Sequence, residues 1–343
     1  MTPVSIITGF LGSGKTTMLS RLLTHPAMGE TVVLVNELGE VALDHILLRR
    51  VDEDIVLLNS GCLCCTVRDD LVETLENLRT NRAEGIIPVF KRVVIETTGL
   101  ADPAPILHTL MIDKALTPHY RLQSLVTTID TTHGNQQLDS HREAIKQAAM
   151  ADRIVLTKRD LSTDAVQRAL QQRLLSLNPS ATVFTATLAS GPSPNELFDQ
   201  DFAVRDKTAE VHGWLEDESD SDPHERSHHH HHHASHQNRH DDRVNNFCLF
   251  CEAPLDWARF TEWLELLLMS RGKQILRVKG ILNRYGHAKP IIIHGVQHVF
   301  YPPVEWTEWP DADRRSKIVF ITQDLPRSAV EKSFRAWMSG GAA

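Results

Sequence analysis

Short apolar runs alternate with helical patterns along the first part of the chain. A β-branched run at 4–8 is followed by a glycine-rich turn and by an apolar-periodic stretch at 18–23. Similar runs recur at 32–36, 54–59, 92–96, 124–130, 153–157 and 181–186. Most of them are apolar throughout, which is typical of strands that are covered on both faces. With helical stretches such as 66–82 and 162–176 between them, the pattern predicts an α/β fold with a doubly wound, mostly parallel sheet.

The pattern changes after residue 188. Residues 206–243 hold few apolar side chains, many acids, and histidines at 224, 228–233, 236 and 240, as a solvated linker does. From residue 244, strand-like runs surround a helical stretch at 257–269, and an amphipathic stretch follows at 328–337. We therefore predict an α/β domain at 1–190, a flexible acidic and His-rich linker at 191–243, and a smaller α+β domain at 244–343.

Composition is that of a globular protein. Of the 343 residues, 41% are apolar and 23% are charged. The formal charge of −8, from 36 Lys+Arg against 44 Asp+Glu, does not favour a nucleic-acid partner. The first residues lack the cationic and apolar regions of a secretory signal, and no apolar run approaches the roughly 20 residues that span a bilayer. We expect a cytoplasmic protein without a membrane partner.

A phosphate-binding loop is the sharpest motif. Residues Gly9–Thr16 match G-x-x-x-x-G-K-[ST] between a predicted strand and a predicted helix. The glycines let backbone N–H groups converge on phosphate oxygens at the positive end of that helix. In such a loop Lys15 reaches the β and γ phosphates and the Thr16 hydroxyl ligates Mg²⁺. The motif predicts that the protein binds a nucleoside triphosphate.

Two further motifs stand at the ends of predicted strands. Glu96 and Gly99 follow the run at 92–95, where a P-loop protein needs an acid near Mg²⁺ and a glycine that senses the γ phosphate. An acidic helix cap is the alternative. Asp160 can accept hydrogen bonds from guanine N1–H and the exocyclic amine, with the stem of Lys158 along the base. This predicts GTP selection, although the usual motif begins with Asn where this chain has Thr157.

The cysteines are clustered. Of the five, Cys62, Cys64 and Cys65 lie within four residues, directly after the run at 54–59. Thiols this close can face one soft cation, which predicts a three-thiolate site that releases its metal; packing as small hydrophobic residues is the alternative. Cys248 and Cys251 fall in a predicted strand, where residues three apart point to opposite faces, so we expect them in the core.

Several segments together carry a family resemblance. They are GFLGSGKTT, VNELGEVALD, GCLCC, ETTGLADP, TKRD, a His-rich insert and ILRVKGIL. The chain thereby resembles the CobW-like P-loop GTPases, a metallochaperone family related to the HypB and UreG nickel GTPases. The resemblance implies a P-loop GTPase domain followed by a CobW C-terminal-type domain, with GTP hydrolysis linked to delivery of zinc, or of cobalt in the cobalamin branch. It also implies nucleotide contacts from Gly9 to Thr17, metal ligands at Cys62, Cys64 and Cys65, and a switch segment around Asn36, Glu37, Gly39 and Asp44.

The candidate site residues fall into three groups. The nucleotide-binding candidates are Gly9, Gly12, Ser13, Gly14, Lys15, Thr16, Thr17, Thr157, Lys158 and Asp160. The catalytic candidates are Lys15, Thr16, Glu96 and Gly99. The metal candidates are Cys62, Cys64 and Cys65 for zinc and Thr16 for Mg²⁺, with Glu37 or His108 as guesses for a fourth zinc ligand.

These residues lead to a functional hypothesis. We predict a slow GTPase that uses GTP and Mg²⁺ and transfers Zn²⁺ from the cysteines to client metalloproteins, with a homodimer compatible with this role. Members of the resembling family that dock a specific peptidase carry an extra N-terminal segment, so that partner is not expected here. The alternatives are cobalt delivery toward cobalamin synthesis, a zinc store or sensor built on the His run with incidental turnover, and a small-molecule kinase. The His run itself is either a metal-collecting segment or an inserted tag or inert linker.

Overall fold

The computed structural model describes residues 1–35, 57–59, 67–198 and 243–339, with side chains excepted at 57–59 and 67–69. The chain divides into two compact units, and each is described by itself. Among the described residues, no helix has both the length and the apolar character that a membrane span requires.

A seven-stranded parallel sheet forms the centre of the first unit. Its strands are β1 (Thr2–Gly9), β2 (Thr31–Val35), β3 (Leu57–Asn59), β4 (Arg92–Glu96), β5 (Tyr120–Asp130), β6 (Arg153–Thr157) and β7 (Thr182–Thr185). The strand order is β3-β2-β4-β1-β5-β6-β7. The predicted α/β fold is therefore confirmed. Strands β2, β3 and β4 lie on one side of β1, and strands β5, β6 and β7 lie on the other. Open parallel sheets bind ligands at the carboxyl ends of their strands, next to the point where the strand order reverses.

Helices lie between these strands, and a last one follows β7. They are α1 (Lys15–Leu23), α2 (Val67–Ala83), α3 (Ala104–Ile112), α4 (Gly134–Ser140), α5 (Arg142–Met150), α6 (Asp164–Leu177) and α7 (Pro194–Phe198). Helix α1 buries Met18, Leu19 and Leu22 in one cluster with Val94 and Val126 of the sheet. Because α1 starts directly after β1, this packing fixes the loop between them at the carboxyl edge of the sheet.

The second unit contains an antiparallel sheet, as the predicted α+β fold requires. Its strands are β8 (Val244–Cys251), β9 (Ile275–Leu282), β10 (Ile291–Val296), β11 (Val299–Phe300), β12 (Val304–Glu305) and β13 (Ser316–Gln323). The order is β11-β10-β9-β13-β8, with β12 paired to β10. Helices α8 (Trp257–Arg271) and α9 (Arg327–Met338) pack on one face of this sheet through Trp263 and Phe334, whose rings stand 4.9 Å apart.

The two cysteines of β8 lie on opposite faces of that sheet. Cys248 is buried with Ile281, Trp306 and Val319, whereas Cys251 packs against the cluster under the helices. The expected core position is confirmed for Cys248, whereas Cys251 is half-buried at the edge of its cluster. Neither joins a group of metal ligands within the described part of the chain.

Candidate nucleotide-binding site

The loop between β1 and α1 depends on glycine at three positions. Gly9, Gly12 and Gly14 have φ values of 144°, 71° and 87°, a region that other residues rarely adopt. A Cβ on Gly9 would also overlap the carbonyl oxygen of Thr128 in β5. The glycines thus let the backbone turn tightly against the sheet and present its N–H groups at the start of α1.

Lys15 and Thr16 form the first turn of α1. Lys15 is buried, and its ammonium donates to the carbonyl oxygens of Gly9 at 2.9 Å and Phe10 at 3.4 Å. The Thr16 hydroxyl donates to Glu96 Oε1 at 2.5 Å, which joins the loop to the carboxyl end of β4. A hydroxyl and a carboxylate are the oxygen ligands that Mg²⁺ prefers. The donor set at this point therefore fits the metal that a P-loop needs.

The segment after β4 touches the phosphate-binding loop. A Cβ on Gly99 would stand 2.6 Å from Leu11 Cδ2 and 2.7 Å from its backbone nitrogen, so the two backbones are in close contact. Thr97 fixes the start of the segment, because its hydroxyl donates to Thr8 Oγ1 at 2.8 Å. Gln147 of α5 holds the other end by donating to Gly99 O at 3.3 Å. Movement of Gly99 would therefore be felt at Leu11.

A cavity of about 340 Å³ lies beside α1 on the β6 and β7 side of the loop. Its lining residues are Gly14, Thr17, Met18, Arg21, Thr157, Lys158, Asp160, Leu161, Ala186, Thr187 and Leu188. It thus brings together Gly14 and Thr17 of the loop with Thr157, Lys158 and Asp160. Leu161 and the segment 186–188 were not predicted from the sequence. The position of this segment directly after β7, at the carboxyl edge of the sheet, is the signal that points to it.

Lys158 connects the end of β6 to the phosphate-binding loop. It has a left-handed backbone with φ 55°, and its ammonium donates to Gly12 O at 2.8 Å and to Asp130 Oδ2 at 2.7 Å. Burial alone would raise the pKa of Asp130, but hydrogen bonds from Lys158, Thr132 and His133 hold it well below its ordinary value. Asp160 is exposed on the cavity wall, where its carboxylate is accessible to a base.

The other candidate residues lie partly outside the described chain. Ser13 is buried, and its hydroxyl stands 2.7 Å from Thr128 Oγ1. Cys62, Cys64, Cys65, Glu37 and the His run at 228–233 are not among the described residues. His108 lies half-buried on α3. Within the described ranges, no three histidine, cysteine or acidic side chains form a group that could hold a metal ion.

Comparison with known proteins matches both parts of the chain. The family model "CobW/HypB/UreG, nucleotide-binding domain" matches residues 3–185, and "Cobalamin synthesis protein cobW C-terminal domain" matches residues 244–338. The zinc chaperone YjiA of Escherichia coli is 31% identical over 332 residues, which is 96% of this chain and 97% of that protein. Zinc-regulated GTPase metalloprotein activator 1 of Schizosaccharomyces pombe is 31% identical over 226 residues, 64% of this chain and 54% of that protein. The crystal structure of Zn(II)-bound YjiA GTPase from E. coli superposes with a TM-score of 0.72 at 27% identity and covers 98% of both chains.

Proposed function

The chain belongs to the CobW/HypB/UreG family, and from that premise we propose that it is a GTP-hydrolysing metallochaperone that binds zinc at Cys62, Cys64 and Cys65 and transfers it to client metalloproteins. The chain is a P-loop GTPase. The observation that carries the proposal is the arrangement around the loop, where the Thr16–Glu96 pair and the Gly99–Leu11 contact meet. The zinc part is supported by relatives whose names state zinc chaperone and zinc-regulated GTPase.

The residues of the site have different roles in GTP binding and hydrolysis. The glycine backbone and the N-terminus of α1 bind phosphate oxygens, and Lys15 exchanges its loop carbonyls for the β and γ phosphates. Thr16 and Glu96 would hold Mg²⁺, which when bound neutralises charge on the transferring phosphoryl group. Gly99, which lies against Leu11 of the loop, would donate its N–H to the γ phosphate, and Asp160 on the cavity wall would select guanine.

Zinc is the cargo, and its release has an energetic cost. A site that binds zinc at nanomolar strength holds it about 12 kcal/mol below the free ion, so spontaneous release is slow. Converting a mostly closed site to a mostly open one needs a difference of about 5.5 kcal/mol, which a nucleotide switch can supply. The cysteines lie between β3 and α2. Strand β3 pairs with β2, and β2 pairs with β4, which ends at Glu96. We propose that γ phosphate and zinc act on this same segment.

Zinc content and GTP hydrolysis of the purified protein test the proposal. We expect tightly bound zinc and zinc-dependent GTP turnover, and both should be lost in Cys64→Ser. Cys251→Ser is the matched control, because this half-buried thiol hydrogen bonds to Ala253 O in the second unit. If Cys64→Ser leaves zinc binding and turnover unchanged, the transfer function is wrong. A parallel titration with Co²⁺ separates zinc delivery from cobalt delivery.

The histidines favour a second candidate function, a zinc store or sensor. Six consecutive imidazoles at 228–233 can collect divalent metal with modest affinity. Deletion of residues 224–240 should lower the total metal capacity and leave GTP turnover intact if delivery is the function. If the deletion removes most of the bound zinc, the histidines hold the metal and the cysteines hold little of it. Storage is then the function that fits the protein better than delivery.

A further inference from the structure

Thr157 occupies the position at which the usual guanine-recognition motif has asparagine. Its side chain faces the phosphate-binding loop. Its hydroxyl donates to the carbonyl oxygen of Ser13 at 2.7 Å, and the residue is 6% exposed. Its methyl group lies against the same loop, since a Cβ on Gly14 would stand 3.5 Å from Thr157 Cγ2. The hydroxyl of this side chain therefore contacts the loop, and its methyl group faces Gly14.

The hydroxyl of Thr157 has one proton to donate. That proton is directed to backbone carbonyls, to Ser13 at 2.7 Å and on a longer contact to Ile129 at 3.3 Å. Any contact of Thr157 Oγ1 with a base is then one in which the oxygen accepts. The N7 and O6 edge of guanine presents acceptors alone, so this hydroxyl does not bind that edge while it donates to Ser13.

The bond to Ser13 has a consequence for the loop. In a planar trans peptide, the carbonyl and the following N–H point in opposite directions. When Thr157 holds the carbonyl of Ser13, the N–H of Gly14 is turned away from β6. Gly14 is the N-cap of α1, and the N–H groups at such a helix start are the ones that bind phosphate.

We propose that Thr157 is a positioning residue for the phosphate-binding loop and does not read the base, so that within this motif the choice of guanine falls to Asp160. The inference rests on the proposed binding of guanine nucleotides. It predicts that Thr157 contributes equally to the binding of every nucleotide that carries the same phosphates, whatever the base.

Dissociation constants of the full chain for GDP, 7-deaza-GDP and IDP test this. Thr157→Val keeps the shape and removes the hydroxyl, Thr157→Ser keeps the hydroxyl, and Thr127→Val is the control. Thr127 is a buried threonine of β5 whose hydroxyl donates to Gln147 O at 2.8 Å. Melting temperatures of all variants show that they fold.

We expect Thr157→Val to weaken all three diphosphates by the same factor, about tenfold, because the Ser13 carbonyl loses its partner. Thr157→Ser should retain the wild-type affinities, and Thr127→Val should leave them unchanged. IDP, which lacks the exocyclic amine that Asp160 accepts from, should bind more weakly than GDP by the same ratio in wild type and Thr157→Val. Guanosine, which has no phosphate, should compete equally well for both proteins.

Three results would overturn the inference. A change in the ratio of GDP to 7-deaza-GDP affinity on Thr157→Val would mean that Thr157 reads N7. Unchanged diphosphate affinity in that variant would mean that the bond to Ser13 does not position the loop. If Thr157→Val does not fold, the Ser variant decides, and weakened binding in a folded Thr157→Ser would contradict the role of the hydroxyl. Failure of the proposed function looks different, since the wild type would then bind no guanine nucleotide.

Discussion

At the scale of single residues, Asp130 carries an ionised carboxylate in a buried position. Hydrogen bonds from Lys158 at 2.7 Å and from the backbone and hydroxyl of Thr132 at 2.8 and 2.6 Å surround it. Lys158 in turn holds Gly12 O, so the charge of Asp130 supports the phosphate-binding loop through one intermediate residue. Removal of this charge should therefore affect both stability and nucleotide binding.

Asp130→Asn should lower the free energy of unfolding by about 2 kcal/mol at neutral pH, because a charge-assisted hydrogen bond is lost. The pKa of Asp130 in the folded protein lies below its ordinary value, so the carboxylate stabilises the fold above about pH 4. This contribution is lost as pH falls through the folded pKa. The difference between wild type and variant should hence be constant from pH 5 to 8 and shrink below pH 4 in urea unfolding. Asp164→Asn, an exposed carboxylate at the start of α6, is the control; an equal difference at acid and neutral pH would contradict the assignment.

Gly99 is a second residue at which one substitution should disturb the phosphate-binding loop. In Gly99→Ala, the new methyl group would meet the backbone nitrogen and Cα of Leu11 at 2.7 and 2.8 Å, so the phosphate-binding loop or the segment after β4 must move. Displacement of a catalytic group by about 1 Å costs roughly 100-fold in rate, and we expect a loss of that order in kcat for GTP. Gly29→Ala is the matched control, because its methyl would make an ordinary 3.5 Å contact with Pro26 O. Equal turnover in the two variants would show that Gly99 does not sense the γ phosphate.

Residues that are required by the local backbone conformation could be predicted from the sequence. Residues that act through partners far away along the chain could not. Gly9, Gly12 and Gly14 are set by the turn itself, and the motif locates them. Asp130 acts on Lys158, which is 28 positions away, and Thr128 pairs with Ser13 across 115 positions. No local pattern marks such partners, because only the parallel pairing of β5 with β1 and β6 brings them together.

At the scale of elements, strands that are long enough to leave an apolar run could be predicted from the sequence, and strands of two residues could not. Strands β1, β4 and β6 are buried on both faces, so they leave continuous apolar runs in the sequence. Strands β11 and β12 have two residues each, too few for any periodicity, and they were not predicted. The elements that carry motifs belong to the first kind, which is why the strand ends beside the phosphate-binding loop could be predicted within one or two residues.

Arg21 joins two elements that line the cavity. From α1 it donates to the carbonyl oxygens of Gly191 at 3.2 Å and Pro192 at 2.9 Å, beyond the turn that supplies Ala186, Thr187 and Leu188. A Cβ on Gly191 would stand 2.7 Å from Arg21 Nη2, so the guanidinium fits closely against this loop. The loop after β7 is therefore positioned by α1, the helix that begins at the phosphate-binding loop.

Arg21→Met should weaken GDP binding about fivefold, because the loop carbonyls lose their donors and the cavity wall becomes less ordered. The binding of a fluorescent GDP analogue measures the effect. Arg168→Met, a change of an exposed arginine on α6, serves as the control. Should both variants bind GDP as the wild type does, the loop after β7 does not depend on Arg21.

At the scale of the whole molecule, the proposed function requires that zinc and nucleotide influence one another's binding. The nucleotide side of this linkage stands on described residues, from the Thr16–Glu96 bond to the Gly99–Leu11 contact. The sulfur side, Cys62, Cys64 and Cys65, lies between β3 and α2. Strand β3 pairs with β2 up to Asn59–Val35, and β2 pairs with β4 up to Val35–Glu96. The cysteine segment therefore follows a strand that has only β2 between it and the strand of the acid that contacts Thr16.

Linkage is reciprocal, which makes the coupling measurable from both ends. We expect zinc to change the affinity for a non-hydrolysable GTP analogue by about 5- to 150-fold, the range of typical coupling energies, and the analogue to change the zinc affinity by the same factor. Calorimetry on metal-free and zinc-loaded protein gives the first factor, and competition with a zinc chelator gives the second. The variant with Cys62, Cys64 and Cys65 all changed to serine should show neither effect and should still bind the nucleotide, because its phosphate-binding loop is intact. Identical nucleotide affinities with and without zinc would leave a GTPase and a zinc-binding segment on one chain with no means for hydrolysis to drive delivery.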